Sequence, residues 1–306
     1  MATPPLLERV MLALPPRAAE FAWLACIGTT LVFGLSATVV LVWPDHPPAE
    51  DLLESTLACL SVAMHAIPHW FADPVGALAM LAACVAAGRV VIVARRYVRA
   101  GARVRAFHRD VVAVVARTTE GPHHPVIWLE HPMPLAYSVA GRPGFVVVTN
   151  GLTRGLTETE CGAVLAHEHA HLRAGHHRMI RSCEVLASAL PRIPLFAAAP
   201  RAMATLVELD ADECAASATS RSAMHAALRS VSHATSTAPA PLLSFGGDVI
   251  ALRLRRLSDN SDRRPTRPKP SYVAVACLPV AASAAIAIAA VSLLGAAACL
   301  LPTFTG

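Results

Sequence analysis

The sequence predicts a membrane protein with three transmembrane helices and one water-exposed α+β domain, mainly helical, between the second and third helix. Three observations predict this fold class. The 306 residues are 55% hydrophobic and only 15% charged, whereas soluble domains carry roughly 25% charged residues. The apolar residues are concentrated in three long blocks. The polar stretch between the last two blocks is long enough to form a domain with its own core.

The first two apolar blocks predict spanning helices at 21–43 and 74–94. Residues 21–43 carry no charge and, at 1.5 Å per residue, can cross a hydrocarbon core of about 30 Å. A secretory signal is the alternative, but its apolar region would be only about 7–15 residues long. The block 74–94 is interrupted only by Arg89, whose long side chain can reach the membrane interface.

The third span is expected in the Ala-rich, uncharged segment 272–306, after a polar, Pro-rich flexible tether at 257–271. Between the first two spans, the loop 44–73 carries acidic residues and no Lys or Arg. Basic residues cluster instead after the second span and before the third, at Arg95, Arg96, Arg99, Arg103, Arg105, Arg109, Arg263, Arg264, Arg267 and Lys269. By the positive-inside rule the loop is extracellular and the domain 95–256 is cytoplasmic, in a multi-pass protein of the cell membrane.

One stretch of the outer loop, 52–72, is ambiguous. It is apolar overall but contains Glu54, His65 and Pro68, and we interpret it as an interfacial element. If it spans instead, the N-terminus moves outside and the central domain stays cytoplasmic.

Because spanning helices are expected, the lipid bilayer is a predicted partner. Nucleic acid is not, because the arginine clusters flank spans and lack interleaved aromatic residues.

The central domain begins with a basic helical stretch to about Arg117, followed by three strand-like runs at 126–130, 136–139 and 145–149. Asn150-Gly151 is typical of a turn. Thr157 and Glu160 have capping-box spacing, which predicts a helix over about 158–174 that Gly175 ends in a left-handed conformation.

That helix contains the HExxH motif His167-Glu168-His169-Ala170-His171. His167 and His171, four residues apart, lie on one helix face and can provide two ligands of a tetrahedral zinc ion. Glu168 is then beside the metal, where it can take a proton from a zinc-bound water molecule. His169 points away from this face.

Zinc needs a third protein ligand, and two residues compete for the role. Glu208 lies four residues before Asp212 on a predicted helix, so Glu208 can bind the metal while Asp212 accepts the outer N–H of a ligating histidine. His177 matches the last histidine of the pattern HExxHxxGxxH, but Ala174 replaces the required glycine. A third interpretation is that Glu208 and Asp212 form an ordinary solvated helix face and bind no metal. We favour Glu208.

The runs AYSVAGRPGFVVVTNGL, LTETECGAVLAHEHAHLRAGHH and VELDADE, within 134–214, resemble the membrane metallopeptidases of the BlaR/MecR β-lactam sensor-transducer type. HtpX-type and CAAX-prenyl-protease-type peptidases share a similar layout. The resemblance implies a gluzincin-like zinc peptidase domain with one Zn²⁺ per chain, in which His167, His171 and Glu208 are the ligands, Glu168 the base and Asp212 the supporting acid. It also implies that strand 136–139 holds an extended substrate.

The sensor-transducers carry an extracellular penicillin-binding domain after their last span, whereas this sequence ends at Gly306. We therefore expect no β-lactam binding through such a domain. The expected function is a membrane zinc metalloendopeptidase acting on protein or peptide substrates, with a cytoplasmic transcriptional repressor as a candidate regulatory substrate. The alternatives are a quality-control protease for membrane proteins and a non-catalytic, zinc-binding signalling protein. The intact Glu168 argues against the last alternative.

Overall fold

The computed structural model describes residues 11–42, 69–115, 117–119, 124–141, 143–236 and 246–258. The chain divides into two compact units. An α+β unit comprises residues 1–20 and 93–267, and an apolar unit comprises residues 21–92 and 268–306. The predicted third span, 272–306, and most of the predicted outer loop, 44–68, lie outside the described residues.

Two long helices supply the described part of the apolar unit. Helix α1 is Pro16–Val42 and helix α2 is His69–Val115. The windows Pro16–Leu35 and Gly76–Arg103 are long and apolar enough to cross a membrane, judged by length and composition. In the 18-residue apolar stretch of the second window no residue is buried in protein, whereas 33% of the corresponding stretch of the first is. A core helix of a soluble protein would be mostly buried, so the two windows are weak evidence for membrane association.

Helix α2 differs from its prediction at both ends. It begins at His69, so the last residues of the predicted outer loop, and of the ambiguous stretch 52–72, are helical. Pro74 lies near its start, where the missing N–H removes a single backbone hydrogen bond. The helix ends at Val115 and Arg117 already belongs to a strand, because the β-branched Thr118 and Thr119 favour an extended backbone.

A four-stranded sheet forms one side of the α+β unit. Its strands are β1 Arg117–Thr119, β2 Val126–Leu129, β3 Ala136–Val139 and β4 Phe145–Thr149, in the order β1-β2-β4-β3. Strands β2 and β4 are parallel and the other two pairs are antiparallel. The predicted strands at 136–139 and 145–149 are confirmed, and the run at 126–130 is one residue shorter than predicted. Strand β3 lies at the edge of this sheet.

Within the described residues, six further helices follow the sheet. They are α3 Asn150–Gly155, α4 Glu158–Ala174, α5 His176–Ala189, α6 Pro194–Ala218, α7 Arg221–Ser236 and α8 Gly246–Ser258. The predicted turn at Asn150-Gly151 is the start of the short helix α3. The predicted tether begins too early, because Leu257 is buried in the last turn of α8 and packs in a cluster with Ala223 and Met224. The rest of that tether, 259–271, lies outside the described residues.

The helix that carries the HExxH motif begins and ends as predicted. The Thr157 side chain accepts a hydrogen bond from the Glu160 backbone N–H, and the Glu160 carboxylate accepts one from the Thr157 N–H, which completes a capping box. Gly175 ends α4 with a left-handed φ of 72°. The chain turns there and enters α5 at His176 without an intervening loop.

Packing of α4 between the sheet and α6 positions the site. Val164 of α4 lies in a core cluster with Val126, Val146 and Val148 of the central strands. Helix α4 also packs against α6 and along the edge strand β3. The motif helix is therefore held on one side by the sheet and on the other by the helix that carries Glu208.

Candidate metal centre

Helices α4 and α6 bring His167, His171 and Glu208 into one group of potential metal ligands. The two histidine Nε2 atoms are 3.1 Å apart. Glu208 Oε2 lies 3.5 Å from His167 Nε2, and Glu208 Oε1 lies 3.4 Å from His171 Nε2. Both histidines are buried, whereas the Glu208 side chain is one-third exposed (33%). The group therefore has one side open to solvent.

These separations fit a tetrahedral zinc ion. Ligand atoms at the usual bond lengths of about 2.0–2.1 Å stand roughly 3.3 Å from one another in a tetrahedron. The observed separations of 3.1, 3.4 and 3.5 Å lie close to this value. Two imidazoles and one carboxylate are also the donor types that zinc accepts, with the fourth position left for water or substrate.

Asp212 lies behind the first histidine. Its Oδ1 is 3.0 Å from Nδ1 of His167, the nitrogen that faces away from the group. A carboxylate in this place fixes the imidazole with its proton on Nδ1 and its lone pair on Nε2, which is the form that binds a metal. Asp212 is 3% exposed, so this contact is shielded from water.

Arg253 of α8 joins the two carboxylates of α6. Its Nε and one terminal nitrogen each lie 2.7 Å from an oxygen of Asp212, and its other terminal nitrogen lies 2.8 Å from Glu208 Oε2. The guanidinium group thus holds one oxygen of Glu208 and both oxygens of Asp212. Planar, bidentate pairs of this kind fix orientation as well as charge.

The charges are arranged so that a metal ion displaces a proton from the site. Burial lowers the pKa of His167, but hydrogen bonds with Asp212 and Glu208 raise it by more, to about 9. Burial and the charge of His167 lower the pKa of His171 to about 3. Burial raises the pKa of Glu208, but His167 and Arg253 bring it down to about 2. In the metal-free chain at neutral pH, His167 therefore holds an extra proton and His171 does not.

Glu168 lies beside the group, next to the edge strand. Burial raises the pKa of its carboxyl group, while His167 and hydrogen bonds from the Ser138 hydroxyl and backbone N–H lower it by less. A carboxylate with a raised pKa is suited to accept and return a proton near neutral pH. Ser138 belongs to β3, so this strand touches the predicted base directly.

His169 and His177 lie outside the ligand group. His177 Nε2 is 3.1 Å from Ser138 Oγ, and its ring centroid is 6.1 Å from that of His171. His169 Nδ1 donates to the Leu165 carbonyl oxygen of its own helix, at 2.8 Å. Among the described residues, the ligand group therefore contains Glu208 and not His177.

Two features were not predicted from the sequence: Arg253, and a second cluster of the buried Glu20, His176 and Asp210 with the exposed Arg17 at its outer end. A signal for Arg253 was present, because it lies four residues after Val249 and four before Leu257, on the apolar face of α8. A charge on such a face usually has a buried partner. The four-residue cluster joins segments far apart in the sequence, and no spacing pattern links them.

Comparison with known families adds an independent finding. The model of peptidase family M48 matches residues 102–199, about a third of the chain. The matched segment contains the sheet and the HExxH helix, and it ends before Glu208. No curated protein and no solved structure matches the chain.

The family match supports a zinc metallopeptidase, the same class that the ligand group indicates. It is a match to family M48 and does not single out the sensor-transducer type to which the sequence motifs are similar.

Proposed function

We propose that this protein is a membrane-anchored zinc metalloendopeptidase that cleaves protein or peptide substrates at the cytoplasmic face of the cell membrane. The observation that carries the proposal is the group His167, His171 and Glu208, whose spacing fits one zinc ion, with Glu168 beside it on the same helix. The M48 family match over 102–199 supports the same activity.

The proposed roles of the site residues follow from their contacts. His167, His171 and Glu208 would hold the metal, and Asp212 would keep His167 in the binding tautomer. Zinc, when bound, supplies a Lewis acid that polarises the scissile carbonyl and acidifies a water molecule. Glu168 accepts the proton of the attacking water and returns it to the leaving amine. Arg253 balances the charge of the two carboxylates on α6.

The edge strand β3 is the proposed binding place for an extended peptide. Among the strands of the described residues it pairs with β4 alone, so its other edge can accept a substrate strand through backbone hydrogen bonds. Ser138 of this strand contacts Glu168, which would bring a peptide aligned on β3 close to the base. Because a peptide bound along β3 would lie close to Glu168, this arrangement favours peptide hydrolysis over a purely structural zinc site.

The two apolar helices and the arginine distribution support the proposed place of action. Regulatory cleavage of a cytoplasmic transcriptional repressor and quality control of membrane proteins are the two candidate roles. A substrate comparison between native membranes with the wild-type chain and with Glu168→Gln would separate them. A single repressor that stays uncut only in the Glu168→Gln membranes would indicate regulation. Accumulation of many damaged membrane proteins in those membranes would indicate quality control.

The activity itself is tested with the full chain purified in detergent. We expect cleavage of an unfolded protein such as casein, loss of cleavage on treatment with a zinc chelator, and recovery when zinc is restored in stoichiometric amount. Cleavage that survives complete metal removal would exclude the proposed mechanism. Zinc binding without cleavage of any unfolded protein would favour the non-catalytic alternative.

A further inference from the structure

A chain of buried polar side chains continues from the second histidine of the motif. His171 Nδ1 lies 3.0 Å from Nδ1 of His176, the first residue of α5. On the other side of the His176 ring, Nε2 lies 3.4 Å from Asp210 Oδ2. Arg17 of α1, whose side chain is 65% exposed, donates from Nε to the other oxygen of Asp210, at 2.9 Å. His176 is completely buried and Asp210 is 2% exposed.

Metal binding at His171 determines where each proton of this chain must be. A histidine that binds a metal through Nε2 carries its proton on Nδ1. That N–H points at His176 Nδ1, which must then be an acceptor without a proton. Neutral His176 consequently carries its own proton on Nε2, the atom that faces Asp210. The contact of 3.4 Å is long for a hydrogen bond, but the carboxylate charge favours the N–H on that side.

Glu20, His176 and Asp210 also have the composition of a metal site, and His176 Nε2 and Glu20 Oε1 lack a close hydrogen-bond partner. A metal on His176 Nε2 would force the His176 proton onto Nδ1. Two N–H donors would then face each other across 3.0 Å, between His171 and His176. The second group is therefore incompatible with zinc at the first, and Arg17 already provides a positive charge for Asp210.

We propose that His176 is a positioning residue for the metal ligand His171, and that Asp210, held by Arg17, keeps His176 in the accepting tautomer. This inference rests on the proposed function. It gives Asp212 and Asp210 of α6 parallel roles, because Asp212 supports His167 directly and Asp210 supports His171 through an imidazole. It also ties the first turn of α1 to the metal site.

The test uses two substitutions that each preserve a different nitrogen of His176. In His176→Asn, the amide oxygen occupies the place of Nδ1 and can still accept from His171. In His176→Gln, the amide matches Nε2 instead, and His171 loses its acceptor. Zinc affinity is measured by chelator competition on the full chain in detergent, and the thermal midpoint of each metal-free variant is measured beside it.

We expect His176→Gln to bind zinc about 10- to 100-fold more weakly than wild type, the usual effect of losing the partner of a ligating histidine. His176→Asn should keep zinc affinity within roughly tenfold of wild type. The control is His169→Asn on α4, the helix of the ligand His171. Its ring bonds to the Leu165 carbonyl, and this variant should bind zinc as wild type does.

Asp210→Asn should weaken zinc binding by about tenfold, and adding it to His176→Asn should cause no further loss, since that variant has already lost the contact with Asp210. Independent, additive losses would overturn the proposed link. Equal zinc affinities for His176→Asn and His176→Gln would overturn the role of His176, because a loss of packing alone would lower the zinc affinity of both variants equally. A wild-type chain that binds no zinc would instead overturn the proposed function itself.

Discussion

Replacing Arg253 with Met should destabilise the metal-free protein far more than a typical surface substitution. The Arg253 side chain is 12% exposed and Asp212 is 3% exposed, so this pair is shielded from water. Removing one partner of a buried, hydrogen-bonded ion pair costs about 3–5 kcal/mol, because the other charge stays buried without compensation. Loss of the contact between Arg253 and Glu208 adds less to this destabilisation, since Glu208 is one-third exposed (33%) and solvent screens the contact.

For a unit of this size, a loss of 3–5 kcal/mol corresponds to a fall in thermal midpoint of roughly 6–20 °C. We expect zinc to restore part of this loss, because a bound cation faces the carboxylates that Arg253 no longer neutralises. The measurement is thermal unfolding of the detergent-purified chain, with and without zinc. The control is Arg255→Met, an exposed arginine on the same helix, which should cost less than about 0.5 kcal/mol.

The Arg253→Lys variant separates charge from geometry. Lysine keeps the charge but cannot reproduce the forked contact with both oxygens of Asp212, so its midpoint should lie between those of Arg253→Met and wild type. If Arg253→Met unfolds within about 2 °C of Arg255→Met, a difference below roughly 1 kcal/mol, then Arg253 does not hold the two carboxylates and the described arrangement of the site is wrong.

Three further predictions concern the metal and the topology. Zinc binding at pH 7 should release about one proton, because His167 has a raised pKa of about 9 without metal and must lose its proton to bind. Zinc affinity should therefore rise with pH up to about 9. Calorimetry in buffers of different ionisation enthalpy would measure the proton release. Glu208→Ala should lose zinc affinity by orders of magnitude while His177→Ala keeps most of it, and metal analysis showing the reverse ranking would reject the ligand assignment. In a cysteine-free chain, a cysteine at His46 should react with an impermeant reagent outside intact cells and one at Met133 should not; labelling at Met133 would place the α+β unit outside.

The features that sequence reasoning predicted well are set by short-range rules. The capping box at Thr157 and Glu160 and the left-handed Gly175 determine the ends of α4 from residues within one turn. Helical periodicity likewise places His167 and His171 on one face. The same reasoning expected Glu208 near them, and the structure puts these three residues in one group. Their role as zinc ligands remains a proposal.

The features that it missed depend on contacts between distant segments. Asp210 meets Arg17 across 193 positions of the sequence, and Asp212 meets Arg253 across 41. No local spacing links Asp210 to His176, because only the packing of α5 against α6 brings these two side chains together. Strand β1 was missed because its three residues are too few to show an alternating pattern.

The most direct test of the proposed peptidase is the pair of measurements, metal content and cleavage, on Glu168→Gln. The amide keeps the size of the side chain but cannot accept a proton, and Glu168 lies beside the ligand group without being part of it. We predict that wild type and variant each bind about one zinc per chain, while the variant no longer cleaves casein. A variant that loses its zinc, or one that keeps cleaving at the wild-type rate, would contradict the assignment of Glu168 as the base.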